Sequence, residues 1–408
     1  MKTLEKLLNG AEVEWKTLGE ISEIYGGLTG KSKADFENGN AKYISYKNIF
    51  FNLNVNYNIL ELVNISDSEN QHVVKYGDIL FTGSSETAEE VGMSSSITTN
   101  FEEPVYLNSF SFGVRFNEDI QLIPEFTKYL FRSNYMRAEI SKTASGVTRF
   151  NVSKARFRKL QIPIPPPSVQ AEIVRILDTF TELTAELTAE LTARKKQYGY
   201  YREQLLRFDE GDVAWKSLGE VAELVRGNGL PKSDFTETGV PAIHYGQIYT
   251  YYGTHTTKTK SFVSIETAEK LRKVNCGDVI ITNTSENLED VGKAVVYLGK
   301  EQAVTGGHAT IFKPSKEIIG KYFAYFTQTE MFASQKRKLA KGTKVIDVSA
   351  SDMAKITIPI PLLEEQERIV SILDKFDTIT TSISEGLPKE IALRKQQYEY
   401  YRDLLLTF

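Results

Sequence analysis

The sequence contains few of the residue types on which metal centres, disulfide frameworks and membrane anchors depend. Its 408 residues include one cysteine, Cys276, and four histidines, at positions 72, 244, 255 and 308. A single cysteine excludes an internal disulfide framework and a CxxC metal site, and the histidines lack the spacing of metal ligands. No run of about 18 apolar residues occurs and charges intersperse the first residues, so neither a membrane span nor a signal peptide is predicted. These absences favour a cytoplasmic protein without a metal site.

Motifs for nucleotide binding, methyl transfer and nuclease chemistry are also missing. Residues 26–32 look like a phosphate-binding loop, but that motif needs glycine where the chain has Tyr25. The proline cluster ends in Pro167-Ser168, without the aromatic residue of an amino-methyltransferase motif. The carboxylates at 286–290 precede Lys293, but their counterparts precede Met93, so both stretches are interpreted as solvated turns. We therefore expect no catalytic residue and no bound cofactor in this chain.

Length and composition indicate an ordinary globular protein with more than one domain. A chain of 408 residues has room for roughly two to three domains, and 41% hydrophobic and 25% charged residues are typical values. The formal net charge of −4 neither indicates nor excludes a nucleic-acid partner, because a local basic face matters more than the sum.

The chain repeats itself at an almost constant interval. Four segments recur: 15–24 as 215–224, 77–82 as 277–282, 162–165 as 358–361, and 194–202 as 394–402. This interval is far longer than a solenoid repeat of roughly 20 to 50 residues. It indicates a duplicated unit of one domain and one helical segment, and a pseudo-two-fold symmetric target is the simplest reason for such a duplication.

Each copy divides into a mixed region with short β-rich runs and a long helical region. This pattern predicts an α+β protein: two α/β domains in a pseudo-two-fold arrangement, separated by two long antiparallel coiled-coil helices. We call the mixed regions lobe 1 and lobe 2. The predicted domains are an N-terminal segment packing near the C-terminus (1–14), lobe 1 (15–161), a central helical spacer (162–214), lobe 2 (215–357) and a distal helical spacer (358–408).

Apolar residues at helical spacing follow each Ile-Pro-Ile-Pro segment. Because proline fixes φ and lacks an amide donor, we expect each segment to stop regular structure, with a helix starting immediately afterwards. The first helix should run from about Val169 to Phe208, and Gly386-Leu387-Pro388 should break or kink the second. The apolar residues predicted to form the interfaces of these spacer helices are Ile173, Ile176, Leu177, Leu183, Leu187, Leu191, Tyr198, Tyr201, Ile369, Ile372, Leu373, Tyr398 and Tyr401.

Two tandem Thr-Ala-Glu-Leu units, at 184–187 and 188–191, lie in the first helix, and the matching span of the second helical region is four residues longer. One unit is about one helical turn, roughly 6 Å. By hypothesis the units act as a ruler, so that one added unit moves a lobe along the helices by that length. The alternative, a merely helix-forming low-complexity stretch, stays open.

Three groups of loops in each lobe combine Gly, Ser, Thr or Asn with basic residues at matched positions. Lysine and arginine neutralise phosphates, whereas Asn, Gln, Ser, Thr and Arg can contact base edges. The lobes share a framework but differ in loop chemistry, as two readers of different sequences would, although any single polar loop can simply be solvated. The candidate DNA-binding residues are Lys31, Lys33, Lys47, Asn48, Thr82, Ser84, Ser85, Thr148, Arg149, Asn151, Lys154, Arg156, Lys232, His244, Tyr245, Gln247, Asn283, Thr284, Ser285, Lys336, Arg337, Lys341, Thr343 and Lys344.

Together these motifs resemble the DNA-specificity subunit of type I restriction-modification systems. The resemblance rests on the paired Trp-Lys-x-Leu-Gly-Glu starts, on Ile-Pro-Ile-Pro followed by Gln-x-x-Ile-Val-x-Ile-Leu-Asp, and on Arg-Lys-x-Gln-Tyr-x-Tyr-Tyr-Arg. The resemblance covers essentially the whole chain. The chain is most similar to the subgroup with a variable number of Thr-Ala-Glu-Leu units.

The resemblance implies a non-catalytic subunit with two target-recognition domains, each reading one half of an asymmetric, bipartite DNA site in the major groove. It implies that the helices dock two modification subunits, which use S-adenosylmethionine to methylate adenine. Restriction subunits would then join for cleavage that depends on ATP and Mg²⁺. The recognition domains of this family vary greatly, so no base-contacting residue is carried over from it.

Two other classes of function stay open at this point. A stand-alone enzyme that methylates or cuts DNA would bind a cofactor, against which the missing motifs argue. A scaffold whose duplicated lobes bind protein or sugar would show no salt-dependent binding to duplex DNA, whereas counterion release requires that dependence of a DNA-binding protein.

Overall fold

The chain packs as two units in the computed structural model, which describes residues 2–8, 10–209, 211–382 and 384–408. The first unit consists of residues 1–185 and 392–408, and the second of residues 186–391. Each contains one lobe and parts of the helical regions, which confirms the predicted α+β class with two lobes and long helices. Positions 1, 9, 210 and 383, which the predicted domains include, lie outside the described residues.

Fifteen α-helices occur in the described residues, most of them short. Those up to residue 205 are α1 (Lys2–Leu8), α2 (Leu18–Ile21), α3 (Tyr46–Phe51), α4 (Pro124–Leu130), α5 (Asn134–Lys142), α6 (Lys154–Phe157) and α7 (Pro167–Leu205). The later ones are α8 (Leu218–Val221), α9 (Tyr245–Thr250), α10 (Ile265–Lys270), α11 (Gly320–Phe326), α12 (Glu330–Leu339), α13 (Ala350–Met353), α14 (Leu363–Thr381) and α15 (Gly386–Leu405). Short 3₁₀ helices span Lys33–Phe36, Tyr57–Ile59 and Lys232–Asp234.

Strands occur in the lobes alone, within the part of the chain that the structure describes. Lobe 1 has β1 (Glu14–Thr17), β2 (Ser22–Gly26), β3 (Ala41–Ile44), β4 (Glu61–Val63), β5 (Ile79–Thr82), β6 (Ser84–Ser85), β7 (Ser94–Ser96), β8 (Val105–Leu107), β9 (Ser111–Phe116), β10 (Ala144–Ser145), β11 (Phe150–Val152) and β12 (Gln161–Ile164). Lobe 2 has β13 (Ala214–Ser217), β14 (Ala222–Arg226), β15 (Phe235–Thr236), β16 (Val240–Ile243), β17 (His255–Thr256), β18 (Ser261–Val263), β19 (Arg272–Val274), β20 (Val279–Thr282), β21 (Thr284–Ser285), β22 (Ala294–Tyr297), β23 (Ala303–Thr305), β24 (Ala309–Pro314), β25 (Ile346–Asp347) and β26 (Thr357–Ile360).

Lobe 1 is built on a four-stranded sheet ordered β2-β9-β5-β7 and a three-stranded sheet ordered β4-β3-β8. Strand β5 alternates its side chains between two cores, with Ile79 and Phe81 in one apolar cluster and Leu80 in another. The Phe81 ring packs against those of Phe112 and Phe157, with centroids 5.4 and 5.0 Å apart. Both faces of β5 are therefore buried, which explains its unbroken apolar run.

Lobe 2 repeats this plan with a five-stranded sheet ordered β14-β24-β20-β22-β17. Strand β20 takes the place of β5, because Val279 and Ile281 face one cluster and Ile280 faces another. The second sheet, ordered β15-β18-β16-β23-β19, contains the parallel pair β16 and β23, which matches the parallel pair β3 and β8 of lobe 1. The two lobes therefore share a framework of strands.

The repeated Gly-Asp pair forms the turn that precedes β5 and β20. Gly77 and Gly277 have φ angles of +86° and +94°, in the left-handed region that glycine adopts without steric cost. The carboxylates of Asp78 and Asp278 each accept a hydrogen bond from the backbone amide three residues earlier, at 2.8 and 2.7 Å. This motif is therefore a structural turn.

The Ile-Pro-Ile-Pro segments form strands, which corrects the prediction that they stop regular structure. Strand β12 pairs with β1 and β26 with β13, with Pro163 opposite Trp15 and Pro359 opposite Trp215. Each ladder has two strands only, so each strand keeps one unpaired edge, where proline's missing donor costs no sheet hydrogen bond. The lobe boundaries predicted at 161 and 357 fall at or inside these strands, and the lobes extend to the ends of β12 and β26.

The helices that follow the proline segments start where the sequence predicts. Helix α7 begins at Pro167 and runs for 39 residues, roughly 60 Å, ending at Leu205 rather than at the predicted Phe208. Helix α14 begins at Leu363, and the second helical region is interrupted before Gly386, which confirms the predicted break.

Aromatic side chains join the two helical regions in each unit. In the first unit the ring of Phe180 stacks on that of Tyr401, with centroids 5.2 Å apart. In the second unit Tyr198 and Tyr201 stack on Phe376 at 6.1 and 5.6 Å. At the chain ends, Leu4 of α1 belongs to the same apolar cluster as Leu405 and Leu406.

A buried glutamine ties each lobe to its helix. Gln170 is fully buried, accepts a hydrogen bond from the Ile123 amide at 2.9 Å and donates to two backbone carbonyls, both at 2.7 Å. Gln366 is also fully buried, accepts from the Ile319 amide at 2.9 Å and donates to two carbonyls at 2.8 and 2.9 Å. Each side chain thus satisfies three backbone groups of its lobe and of the adjoining segment.

A tyrosine–aspartate hydrogen bond reinforces the same junction. The Tyr129 hydroxyl donates to Asp178 at 2.5 Å, and the Tyr325 hydroxyl donates to Asp374 at 2.6 Å. A lysine pairs with each carboxylate, at 2.7 Å in the first unit and 2.8 Å in the second. Within each unit, lobe and helix are therefore joined by directional contacts as well as by apolar packing.

Candidate nucleic-acid interface

In lobe 1, strands β6 and β11 carry two neighbouring groups of candidate residues. Strand β11 pairs with β6 so that Asn151 lies opposite Ser84 and Phe150 opposite Ser85. The side chain of Arg149 is exposed, and its Nε and Nη2 atoms donate to Ser84 Oγ at 3.1 and 2.9 Å. Ser84 is 6% exposed, so it acts as a fixed acceptor beneath an exposed guanidinium.

Helix α3 and the turn before β9 border the same pair of strands. The Tyr46 hydroxyl donates to the Ser84 carbonyl at 2.9 Å, and the next residue, Lys47, is exposed. The Gly83 amide donates to the Phe110 carbonyl at 2.8 Å, and the Phe110 ring is 62% exposed. The Asn108 carboxamide oxygen accepts from the Phe110 amide at 3.0 Å and so holds this turn.

Three candidates of lobe 1 face the interior or a neighbouring side chain, which corrects their assignment to a DNA-facing surface. Asn48 is fully buried and bonds the Asn56 backbone through both its amide nitrogen and its oxygen, each at 2.9 Å. Thr82 is fully buried, and its hydroxyl accepts from the Met93 amide at 2.9 Å. The side chain of Lys31 is 5% exposed and pairs with Glu69 at 2.6 Å.

Ser84 is buried as well, which also corrects its assignment, and the remaining candidates of lobe 1 lie on its surface or are half-buried. Arg156 donates to the backbone carbonyl of Ala144 at 3.0 Å, and the Lys154 ammonium lies 5.6 Å from the centre of the Phe112 ring. Ser85 is half-buried. The exposed candidates of this lobe are Lys33, Lys47, Thr148, Arg149, Asn151, Lys154 and Arg156.

Lobe 2 carries a cluster of aromatic and polar side chains at the corresponding place. Strand β21 pairs with β25 so that Thr284 lies opposite Asp347, in the register that Ser84 and Asn151 have in lobe 1. Thr284 Oγ1 lies 2.9 Å from Nδ1 of His308, whose side chain is exposed. The Tyr245 ring lies between two imidazoles, with centroids 4.9 Å from His308 and 4.4 Å from His244.

Helix α9 orients the first loop group of lobe 2. His244 caps this helix through its Nδ1 atom, which accepts from the Gly246 amide at 3.2 Å. Burial, with further contributions from Lys232 and His308, lowers the pKa of His244. Gln247 is half-buried and donates to the Ser261 hydroxyl at 2.6 Å, so this candidate is engaged within the lobe.

Thr284, at 8% exposure, and three further candidates of lobe 2 are buried, which corrects their assignment as surface contacts. Lys336 is 7% exposed and donates to the Val291 carbonyl at 2.6 Å, and burial lowers its pKa because the charged form is poorly solvated there. Asn283 is fully buried, and its carboxamide makes no hydrogen bond with any residue that the structure describes. Ser285 is 7% exposed.

The basic candidates of lobe 2 other than Lys336 are exposed, and two of them are paired with carboxylates. Lys341 pairs with Asp352 at 2.8 Å, and Arg337 pairs with Glu330. Glu330 is exposed in its pair, whereas Asp352 is nearly buried and also pairs with Lys355 at 2.8 Å. The exposed candidates of this lobe are Lys232, Arg337, Lys341, Thr343 and Lys344.

The predicted helix-interface residues differ in burial along the helices. Ile173, Leu177, Ile369 and Leu373 are fully buried against the lobes, and Tyr198 is 7% exposed. Leu183, by contrast, is 37% exposed. Tyr201 is exposed, whereas Ile176, Ile372, Leu187, Leu191, Tyr398 and Tyr401 are half-buried. The leucines of the Thr-Ala-Glu-Leu stretch therefore keep apolar surface accessible.

Sequence reasoning missed two exposed residues beside the paired strands, Phe110 and His308. Each immediately precedes its strand, Phe110 before β9 and His308 before β24, within a short polar turn. A single large ring between small residues, at the same place in both repeats, was the available signal.

Other kinds of site would need metal-ligating side chains or a membrane-spanning helix among the described residues. No group of three or more His, Cys, Asp or Glu side chains there could hold a metal ion. Among the helices in the described ranges, none is long and apolar enough to cross a membrane.

Known sequences and structures resemble this chain along its length. Residues 11–194 and 210–393 each match the model of a family described as the type I restriction modification DNA specificity domain. The type I restriction enzyme EcoR124I/EcoR124II specificity subunit of Escherichia coli is 36% identical over 267 residues, a match that covers 62% of this chain and 65% of that subunit. A protein of Haemophilus influenzae, named as a type I restriction enzyme specificity subunit, is 31% identical over 99% of this chain and 98% of its own.

Solved structures share the fold at low sequence identity. A chain from a type I R-M system superposes with a TM-score of 0.66 at 18% identity, over 97% of this chain and 98% of that chain. The HsdS subunit from Thermoanaerobacter tengcongensis superposes with a TM-score of 0.53 at 17% identity, over 98% of both chains.

Proposed function

The chain belongs to the family of type I restriction-modification DNA specificity proteins, and from this premise we propose that each lobe reads one half of an asymmetric, two-part DNA site. Its role is that of a DNA sequence-specificity subunit. The proposal adds the division of labour: lobe 1 contacts one half-site in the major groove, lobe 2 contacts the other, and neither performs chemistry.

One observation supports this division above the others. Both lobes place a short antiparallel strand pair, a tyrosine on a short helix and one exposed ring at matched positions, but the ring is Phe110 in lobe 1 and His308 in lobe 2. The hydroxyl of the first strand contacts Arg149 in lobe 1 and His308 in lobe 2. An unchanged framework that carries different hydrogen-bonding groups is what two readers of different base sequences require.

The partners follow from the same proposal. The helical regions would dock two modification subunits, to which we assign S-adenosylmethionine and adenine methylation, and restriction subunits would join with ATP and Mg²⁺. We assign no cofactor to this chain and place the complex in the cytoplasm, where its DNA is found. The partly exposed leucines at 183, 187 and 191 provide apolar surface for such contacts.

The proposal is tested by comparing adenine methylation in cells that express the modification subunits with and without this chain. Long-read sequencing should reveal a split motif, two short defined sequences separated by unspecified bases, only when the chain is present. If the partner subunits are expressed and active but the methylated sites do not depend on the chain, the proposed function is wrong. Binding of labelled duplex DNA by the complex should also weaken steeply with salt, as phosphate contacts require.

A further inference from the structure

The hydroxyl groups of Ser84 in lobe 1 and Thr284 in lobe 2 lie at the same structural position. Ser84 lies opposite Asn151 in the β6–β11 ladder, and Thr284 lies opposite Asp347 in the β21–β25 ladder. Both residues are nearly buried, at 6% and 8% exposure. In both lobes this hydroxyl therefore lies on a paired strand and not in a loose loop.

Each hydroxyl contacts one exposed hydrogen-bonding side chain, but the two side chains come from different loops. In lobe 1 that side chain is Arg149, which precedes β11 and donates through Nε and Nη2 to Ser84. The residue that precedes β25 in lobe 2 is Val345, which has no hydrogen-bonding group. His308, from the turn before β24, contacts Thr284 instead.

The turns before β9 and β24 complete this exchange. The residue in lobe 1 that corresponds to His308 is Phe110, because both make the same backbone hydrogen bond. The Phe110 carbonyl accepts from the amide of Gly83, which follows β5, at 2.8 Å, and the His308 carbonyl accepts from the amide of Asn283, which follows β20, at 2.9 Å. Phe110 cannot bond the hydroxyl. Each lobe thus supplies one polar side chain to the hydroxyl, from one of two alternative loops.

We propose that the side chain bonded to this hydroxyl determines the sequence specificity of each lobe. In lobe 1 this side chain is Arg149, which recognises a guanine, and in lobe 2 it is His308. The assignment rests on the proposed function, which it deepens by naming the base-reading residue of each half-site. Ser84 and Thr284 are positioning residues, since they orient the reading side chain and are too buried to contact a base themselves.

The donor geometry of Arg149 selects guanine. A guanidinium has five N–H groups in a fixed plane, and Ser84 accepts from two of them. The three that remain include one N–H on each terminal nitrogen, a parallel pair that matches the O6 and N7 acceptors of guanine in the major groove. In the part of the chain that the structure describes, the side chain of Arg149 bonds to Ser84 alone, so this edge is available to DNA.

The imidazole of His308 supports a single contact. Its Nδ1 atom is engaged by Thr284, and the Tyr245 ring limits the ring's movement from 4.9 Å away. Nε2 is left for one hydrogen bond to a base edge, as donor or acceptor according to the tautomer. We therefore expect weaker discrimination at the lobe 2 position than at the lobe 1 position.

The experiment determines methylated motifs for the full chain in its complex with the modification subunits, by long-read sequencing of genomic DNA. With Arg149→Ala, one guanine in one half-site should become degenerate, with a loss of discrimination of roughly 5- to 150-fold, while the other half-site stays unchanged. Ser84→Ala should relax the same base pair to a smaller extent. His308→Ala should change the other half-site only, and the matched control Val345→Ala should leave the whole motif intact.

The outcomes separate this assignment from the proposed function. If the unaltered chain directs no split motif, the proposed function fails and the assignment fails with it. If the unaltered chain directs a motif that Arg149→Ala leaves unchanged, or relaxes in both half-sites or at a base other than guanine, the assignment alone is overturned. Should Arg149→Ala abolish methylation, Arg149→Lys decides: this variant keeps the charge but lacks the planar fork, and it must relax the same guanine for the assignment to stand.

Discussion

Replacing the buried glutamine of lobe 2, by Gln366→Ala, should strongly destabilise the second unit. The side chain is fully buried and makes three hydrogen bonds of 2.8 to 2.9 Å with backbone groups of residues 317, 319 and 361. A net contribution of about 1 kcal/mol for each bond, and a higher cost wherever a buried group is left without a partner, gives a loss of about 3 to 5 kcal/mol in the free energy of unfolding. That is a large fraction of the roughly 5 to 15 kcal/mol that stabilises a typical domain.

The destabilisation should be visible as a shift of one unfolding transition. For a unit of about 200 residues, each kcal/mol lowers the melting temperature by roughly 2 to 4 °C, so we expect a decrease of roughly 6 to 20 °C. Hydrogen exchange followed by mass spectrometry assigns the transition, because amides of lobe 2 should lose protection while those of lobe 1 keep it.

The chain offers a matched control and a second copy of the test. Gln302 is an exposed glutamine of the same unit with one hydrogen bond to Asn275, and Gln302→Ala should change the free energy of unfolding by less than about 0.5 kcal/mol. Gln170→Ala should reproduce the large effect in the first unit, where the same three bonds occur. A Gln366→Ala variant as stable as the Gln302→Ala control would refute the reasoning that this side chain joins lobe and helix.

Three shorter predictions concern the spacer, a buried candidate and pH. A third Thr-Ala-Glu-Leu unit inserted after Leu191 adds about 6 Å of helix and should lengthen the gap between half-sites by one to two base pairs at about 3.4 Å each, whereas an unchanged gap in the methylated motif would contradict the ruler. Asn48→Ala should lower the melting temperature of the first unit and leave the methylated motif unchanged, because the Asn48 side chain bonds the Asn56 backbone inside lobe 1. A changed motif would contradict this structural role and support contact between Asn48 and DNA. Burial, aided by Lys321, lowers the pKa of His255 below the roughly 6.5 of the unfolded chain. The contribution of the neutral His255 to the stability of the folded chain is therefore complete above about pH 6.5, and it is lost as the pH falls through the pKa of His255 in the folded chain. Urea unfolding at pH 7.5 and 5.0 should show a smaller pH dependence in His255→Gln than in the unaltered chain, and equal dependence would exclude His255 as its source.

Sequence patterns predicted the elements whose signals are local and periodic. The apolar spacing after each proline segment fixed the starts of α7 and α14, and the glycine and proline at 386 and 388 fixed the break before α15. The proline segments themselves were misjudged, because proline opposes a strand only where its amide would face a partner strand. Here each segment has one partner, across which Pro163 and Pro359 lie opposite tryptophans.

The candidate site was harder to predict because burial is decided by tertiary contacts that a loop sequence does not contain. Asn48 and Lys47 are neighbours on α3, and only the packing of that helix buries the first and exposes the second. Lys336 has the composition of a surface lysine but reaches a carbonyl of residue 291, far away in the sequence. His308 was overlooked for the opposite reason, because the ring between small residues marks the position in both repeats but its role is seen only when Thr284 lies beside it.

The arrangement of the lobes separates what must stay constant from what can change. The glutamine and tyrosine contacts that join lobe to helix are the same in both copies, although the lobes share little of their loop chemistry. Among the described residues, the side chain of Arg149 hydrogen-bonds only to the Ser84 hydroxyl, and that of His308 only to the Thr284 hydroxyl. Neither side chain belongs to an apolar core. Substituting Arg149 or His308 therefore removes no buried contact that the fold requires. A lobe built this way can change its exposed hydrogen-bonding side chains while its junction with the helix remains as before.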